Sequence, residues 1–480
     1  MAGIPANPDD EGDLKRALGP VHLIALGIGA IIGAGIFVLT GHAAAGYAGS
    51  GVVISFAIAG AGCLFAGLCY SEYASMIPVA GSAYTYTYAT LGRLLAWIIG
   101  WNLVLEYLAA SSTVAVGWAG YFDDFLSRIG YPVPPAFASA PIALRGFHDV
   151  AATGAYFNLP AVALVALVSV FLIVGVKTSA NFNNLMVAIK LAIVLVVIFV
   201  CFSQVVPANH IPFIPPNTGT FGHFGWTGVF RATGVIFFAY IGFDAVSVAA
   251  QESKNPQRDI PIGILGSLLI CTVLYMLMSW VVTGIAPYAT LNVPHPVSQA
   301  VEALPSTAWL APFVNIAAIV GLASVVLVLL LGQSRIFYAM ARDGMIPRIF
   351  SEIHPKFRTP WKGTLVTGAF CALLAGVLPL DILGELVSIG TLAAFVIVCA
   401  GIMVLRIRAP RAKRPFRTPF VWITAPLGIA MCLFMMVFLP LDTWLRLAAW
   451  TVIGLIIYFL YSVKHAKPPR YSIQDLPSHD

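Results

Sequence analysis

Twelve long apolar stretches run through the chain, and they leave it very few ways to fold. They lie at about 20–45, 51–77, 92–120, 157–176, 181–204, 226–253, 260–286, 309–338, 362–379, 384–405, 421–439 and 443–463, and each is long enough to cross a hydrocarbon layer of roughly 30 Å. Of the 480 residues, 59% are hydrophobic and only 10% are charged. A single soluble core does not absorb so much apolar length, so the expected fold class is an all-α polytopic membrane protein with twelve transmembrane helices.

The basic residues orient these spans. Of 26 Lys and Arg, only Arg128, Arg145 and Arg446 fall on one side, and Lys190 and Arg231 fall within spans. All the others lie on the opposite side together with both termini. The positive-inside rule makes that side cytoplasmic. The net charge of +6 is therefore a topology signal, with some attraction to anionic lipids, and no nucleic-acid partner is expected. The N-terminus carries Asp9, Asp10, Glu11 and Asp13, which does not fit a secretory signal peptide. The seven cysteines all fall inside spans without metal-ligand spacing and read as small apolar fillers. No metal site is expected.

Inside the first span, residues 27–41 read Gly-Ile-Gly-Ala-Ile-Ile-Gly-Ala-Gly-Ile-Phe-Val-Leu-Thr-Gly. Each glycine costs a helix about 1 kcal/mol relative to alanine. Either these glycines let neighbouring helices approach closely, or they mark a broken helix whose freed backbone groups bind something. A second interruption, five spans later, favours the break. Residues 232–244 read Ala-Thr-Gly-Val-Ile-Phe-Phe-Ala-Tyr-Ile-Gly-Phe-Asp, with Gly242 and an acid, Asp244, at membrane depth. Paired interruptions in two halves of a chain point to the binding site of a secondary transporter.

Two further ionisable residues lie within spans. Glu106, in span 3, costs at least about 2.5–3.5 kcal/mol at mid-membrane. It is either a carboxyl bonded to a neighbouring helix or a group that binds an ammonium or a proton. Lys190 lies too deep in span 5 to snorkel easily. It either forms a permanent ion pair or cycles between charged and neutral, as proton coupling requires. Elsewhere, Pro78 and Gly81 are expected to stop span 2, and Tyr84, Tyr86 and Tyr88 suit an interfacial belt. Residues 121–157 form a long external loop, and the segment from His295 to Ala300 forms an external lid. The basic stretches 335–358 and 406–417 read as solvated surface loops.

Several stretches together resemble the amino acid–polyamine–organocation transporter superfamily. Within it the likeness is to the cationic amino acid transporter branch and its proton-coupled bacterial relatives, and it covers roughly residues 15–465. The motifs are Gly33-Ala34-Gly35-Ile36, Met76-Ile77-Pro78 through Gly81-Ser82-Ala83-Tyr84, and Gly100-Trp101-Asn102-Leu103. They continue with Phe238-Ala239-Tyr240-Ile241-Gly242-Phe243-Asp244, Asn255-Pro256-Gln257 with Ile260-Pro261-Ile262-Gly263, and Ala339-Met340-Ala341-Arg342-Asp343-Gly344. The resemblance implies a five-plus-five inverted repeat with discontinuous helices 1 and 6. The first repeat is 20–204 and the second 226–405, followed by two further spans within 421–463, with cytoplasmic tails at 1–19 and 464–480.

The resemblance also implies a site. The substrate carboxylate would sit on the amides of Gly33, Ala34 and Gly35, which agrees with the anion preference of a helix N-terminus. The ammonium would meet carbonyls at Ile31, Phe238, Ala239 and Ile241. Phe238 would gate, and Asp244 is a further candidate for gating or for reading the side chain. Lys190 would take the place of the sodium ion of other relatives between spans 1 and 8, and Glu106 matches a span-3 acid of the bacterial branch. Ala34 departs from the Gly-Ser/Thr-Gly of many members, so backbone amides must carry more of the grip.

The expected protein is a proton-coupled importer of cationic or small neutral L-amino acids in the cytoplasmic membrane. It has lipid neighbours, is a monomer or weak homo-oligomer, and has no cofactor beyond the coupling proton. An exchanger or a sodium symporter of the same fold is the alternative; the Lys190 ammonium argues against sodium. A non-transporting sensor lacks a sensing domain in the sequence, and an enzyme lacks a nucleophile–base pair, metal cluster or phosphate loop.

Overall fold

The structure is a computed structural model and describes residues 18–76, 82–145, 149–175, 180–248 and 253–468. Its helices in chain order are α1 (Pro20–Ile31), α2 (Thr40–Ala43), α3 (Val52–Met76), α4 (Ser82–Thr90), α5 (Arg93–Arg128), α6 (Leu159–Val174), α7 (Ala180–Phe202), α8 (Gly225–Ile236) and α9 (Ala245–Val248). They continue with α10 (Pro256–Ile285), α11 (Pro296–Glu302), α12 (Ala311–Arg342), α13 (Trp361–Val377), α14 (Leu380–Arg408), α15 (Val421–Val437), α16 (Leu441–Ile457) and α17 (Val463–His465). Among the described residues, seven helical runs are long and apolar enough to cross a membrane by length and composition. Four shorter apolar helices, Pro20–Ile31, Leu159–Val174, Trp361–Val377 and Val421–Val437, accompany them.

Helices five spans apart pack together: α3 on α10, α5 on α12, and α6 on α13. The α5 helix is the most enclosed, lying between α12 and α14. Its start is pinned to α16 by a reciprocal pair of indole bonds. Trp101 Nε1 donates to the Trp450 carbonyl at 2.7 Å and Trp450 Nε1 to the Trp101 carbonyl at 3.0 Å, with the rings stacked at 4.4 Å. Indole N–H groups in an apolar setting need such partners.

Several expectations are corrected. The fold is not purely helical: β1 (Ile142–Arg145) pairs antiparallel with β2 (Asp149–Ala152) inside the loop after α5. That loop is also shorter than expected, because α5 continues to Arg128. Span 7 begins at Pro256 and carries Pro261 inside the helix, where an early turn tolerates it. Tyr84, Tyr86 and Tyr88 form no belt: they are buried on α4. Tyr84 donates to Asp343 at 3.0 Å, Tyr88 donates to the Lys467 carbonyl, and Tyr86 stacks on Tyr73. The basic 406–417 stretch is not uniformly solvated either. Arg406 and Arg414 both clasp the fully buried Glu72, at 2.8 and 3.0 Å, and the Thr418 amide adds a third donor at 2.8 Å. A buried carboxylate needs that company. The corner assigned to Pro78 and Gly81, and most of both tails, lie outside the described residues.

Candidate functional site

Both interruptions are real breaks. The α1 helix ends where Ile32 turns extended, at ψ 100°. Past it, the Phe37 amide bonds back to the Gly33 carbonyl at 3.3 Å. The amides of Gly33, Ala34 and Gly35 come before that bond, at a helix start, where N–H groups have no intrahelical acceptor. The second half then runs in wide turns at Gly35–Leu39 and Ala44–Ala48, and the Thr40 hydroxyl covers the Gly35 carbonyl at 3.1 Å.

In span 6, α8 ends at Ile236, a tight turn covers Phe237–Tyr240, and Ile241 is extended at ψ 140°. Gly242 sits at φ +111°, a conformation that only glycine adopts at little cost, and a Cβ there would lie 2.8 Å from the Ala30 carbonyl. The two breaks are in direct contact: a Cβ on Gly35 would lie 2.4 Å from the Ala239 Cα. The glycines divide accordingly. Gly27 and Gly29 press against Ser267 and Val187, the helix-packing role, whereas a Cβ on Gly33 would meet Val325 at 3.5 Å and the Ile31 carbonyl at 3.9 Å, both ordinary contacts.

The carbonyls expected to receive an ammonium are less open than the amides. Tyr275 of α10 places its hydroxyl 2.8 Å from the Ile31 carbonyl and 2.8 Å from the Ala239 carbonyl. The Phe238 carbonyl accepts from the Ile241 amide at 3.0 Å. Tyr275 thus bridges the two breaks. Sequence reasoning passed over it; the signal was a phenol inside a span, whose hydroxyl must find an acceptor.

Lys190 is 1% exposed and reaches under the first break, donating to the Gly29 carbonyl at 2.5 Å and the Ile32 carbonyl at 3.1 Å. Gly321 of α12 makes room for it, since a Cβ there would meet its Cγ at 2.5 Å. Lys190 therefore lies between the end of α1 and α12, with carbonyls rather than a carboxylate at its tip.

The acids form a separate polar layer. Asp244, just beyond the second break, accepts from the Tyr107 hydroxyl at 2.9 Å. Glu106 is 2% exposed, with Thr391 of α14 beside it and its Oε2 without a hydrogen-bond partner. One turn earlier on α5, the Asn102 Oδ1 is also unpartnered, as are both polar atoms of the fully buried Gln333 on α12. Gly332 touches the Tyr107 ring, which sets this part of α12 level with Glu106. Unpartnered buried polar atoms call for water or a ligand. Just before α11, burial pushes the His295 imidazole below its usual range, against the pull of Asp124.

Two broken helices in contact, with a buried amine at the end of one of them, mark the candidate site. The sequence comparisons define its class: the amino acid permease family model matches residues 18–461, and the chain belongs to that family, within the amino acid–polyamine–organocation superfamily. Among individual relatives, the branched-chain amino acid permease BcaP of Bacillus subtilis is 48% identical over 95% of both chains. The methylthioribose transporter of the same organism is 44% identical over 94% of this chain and 95% of its own. The vacuolar cationic amino acid transporter 4 of Arabidopsis thaliana is 37% identical over 84% of this chain and 65% of its own length.

Proposed function

We propose that the protein imports L-amino acids by proton symport through alternating access, as a twelve-span, five-plus-five inverted repeat with both termini in the cytoplasm. The observation that carries this reading is the placement of Lys190 on the Gly29 and Ile32 carbonyls, at the end of α1 where the chain breaks before Gly33–Gly35. The substrate carboxylate docks on those amides, and its ammonium takes carbonyl oxygens from the second break, displacing the Tyr275 hydroxyl from one of them. A protonated Lys190 holds α1 against α7 and α12. Loss of its proton to the cytoplasm removes the charge that favours this grip and frees α1 to move. The packing of helices five spans apart supports the repeat.

A neutral branched aliphatic substrate fits best. Val325, Phe238 and Ile241 surround the breaks, Asp244 is engaged by Tyr107, and the 48% identical relative is a branched-chain permease. A cationic substrate is the second reading, favoured by the unpartnered oxygen of Glu106 and by the cationic transporters among the relatives.

The test is uptake of labelled Leu, Val, Ala, Arg and Lys into proteoliposomes under an inward proton gradient, with sodium absent. Accumulation of Leu and Val is expected. Accumulation of Arg and Lys instead assigns Glu106 to the side chain. Exchange that requires preloaded vesicles, or full proton-driven uptake by Lys190→Ala, overturns the coupling assignment.

A further inference from the structure

At the end of the bundle that carries His42, a cavity of about 150 Å³ opens between the second half of span 1 and the starts of α8, α14 and α16. Its charged walls pair off in a definite pattern. Arg231 lies over the Tyr47 ring at 4.4 Å and 3.6 Å from Glu385. Glu385 also lies 3.6 Å from Arg446 and accepts from Thr443 at 2.7 Å. That leaves His42 to Asp381. The His42 Nε2 is in direct contact with Asp381 Oδ1, and its Nδ1 lies 2.9 Å from Asn292 Oδ1.

The chemistry of these partners bears directly on the state of the ring. A carboxylate oxygen and an amide oxygen both only accept. With the Asn292 oxygen toward Nδ1, an imidazole whose two nitrogens both face acceptors carries two hydrogens and is an imidazolium. The three partners come from three parts of the fold. His42 is on the second half of span 1, Asp381 begins α14, and Asn292 lies in the connection between α10 and α11. We propose that His42 is a proton-binding latch: with a proton bound it ties these three elements together and shuts this end of the bundle, and with the proton lost it lets them part. Only the statement that this end faces outward rests on the transport reading above; the proton site does not.

Three acids share the cavity with His42. Asp381 touches it and Glu385 is the second acid acting on it. The opposing cations, Arg231 and Arg446, are engaged with Glu385. Asp442 adds a third acid to the cavity wall. Tyr47 meets the His42 ring edge-on at 5.9 Å. His223, 6.0 Å beyond Tyr47, is pushed below its usual range by burial and by Arg231, so it stays neutral near pH 7 and does not compete for the proton. Turning the Asn292 amide over would present its NH₂ to Nδ1 and satisfy a neutral ring. Asn292→Asp, which offers oxygens only, removes that escape.

In a transport cycle the latch makes closure depend on a proton taken from the His42 side, a second proton-binding group far from Lys190. The test is the accessibility of a cysteine placed one turn below Asp381. Gly384 is suitable, because a Cβ there meets only Leu39, at 3.9 Å, and the seven native cysteines are buried. Full-length Gly384→Cys protein in proteoliposomes is labelled with a membrane-impermeant maleimide between about pH 5.5 and 8, the range in which histidine titrates. Rates are normalised at each pH to the same cysteine in a His42→Gln background, which cancels the ionisation of the thiol.

The normalised rate should rise roughly tenfold as His42 loses its proton. His42→Lys, permanently charged, should stay protected at every pH, and Asn292→Asp should move the rise to higher pH. His42→Gln should label fast throughout. Opposite outcomes for the Lys and Gln variants separate a latch from misfolding. Equal pH dependence with and without His42 overturns the proposal. Uptake need not occur for the labelling to respond, so failure of the transport reading shows separately in the proteoliposome assay.

Discussion

The two breaks differ in what they leave free. The break in span 1 is short, and it exposes amides that nothing else in its own helix can use. The break in span 6 is longer and is already furnished with partners. Its Ala239 carbonyl meets Tyr275, its Tyr240 hydroxyl donates to the Phe56 carbonyl at 2.7 Å, and its Asp244 holds Tyr107. In the proposed function, one break receives an anion, while the other exchanges an internal hydroxyl for a cation. A carboxylate gains bonds on arrival, and an ammonium only replaces one. Affinity should depend more on the first break, and variants of the two can break or sharpen that contrast.

The largest effect is expected at the point where the breaks meet. Even one methyl at Gly35 would fall 2.4 Å from the Ala239 Cα, and backbone on both sides cannot yield as a side-chain tip does. Gly35→Ala should weaken substrate binding by on the order of 100-fold, and Gly35→Leu, which also fills the carboxylate position, should abolish it. Ligand-induced thermal stabilisation of the purified protein measures both. Normal affinity in Gly35→Leu removes the first break from the site altogether.

Tyr275→Phe tests the furnished break. Losing the hydroxyl removes the single hydrogen that the Ile31 and Ala239 carbonyls share in the empty protein, at about 1–3 kcal/mol of stability. A bound ammonium re-satisfies one of them, so ligand should stabilise this variant more than it stabilises the parent. Measured melting shifts with and without substrate decide the matter: an equal ligand-induced shift in both proteins means that the ammonium does not use these oxygens.

The backbone of the site was legible because glycine leaves a mark in sequence. Gly33, Gly35 and Gly242 stand in apolar stretches where nothing but a break or a close contact justifies them, and Lys190 and Glu106 stand out because charge is costly in a membrane. What stayed hidden were partners supplied from a distance by ordinary-looking positions. Tyr275 belongs to a plain apolar helix. Arg406 and Arg414 follow the positive-inside pattern, which gives no hint that Glu72 recruits them from more than three hundred residues away. The buried tyrosines of α4 were misplaced for the same reason: a Tyr-rich helix near the membrane surface has the same composition whether its rings face headgroups or pack beneath Asp343 and Lys467. Local chemistry announces strain and charge, but it does not announce who answers them.

A smaller effect is expected in the acid layer. Glu106→Gln keeps the shape of the side chain and removes its ability to hold a proton. Uptake of a neutral substrate should fall about tenfold or less, and its pH profile should change, because a general proton-binding group has gone. An unchanged profile, with uptake intact, returns Glu106 to a structural role beside Thr391. If Arg or Lys uptake is lost while Leu uptake survives, the carboxylate reads a cationic side chain.

The smallest effect is expected two residues from the largest. Gly33 shares a motif with Gly35, so the sequence alone predicts similar sensitivity. In the structure a Cβ at Gly33 would find Val325 at 3.5 Å, an ordinary contact, and its φ is not among the positive ones. Alanine keeps the amide proposed to face the carboxylate and adds a methyl at ordinary contact distance. Gly33→Ala should therefore bind substrate within about threefold of the parent, the residue cost being the loss of glycine's freedom at the break. Measured beside Gly35→Ala, it separates two uses of the same residue type: an amide donor at a helix start, which any residue but proline supplies, and a gap through which two broken helices touch, which only glycine leaves. Equal damage at both positions means that mobility of the break, rather than the contact with Ala239, is what the glycines provide.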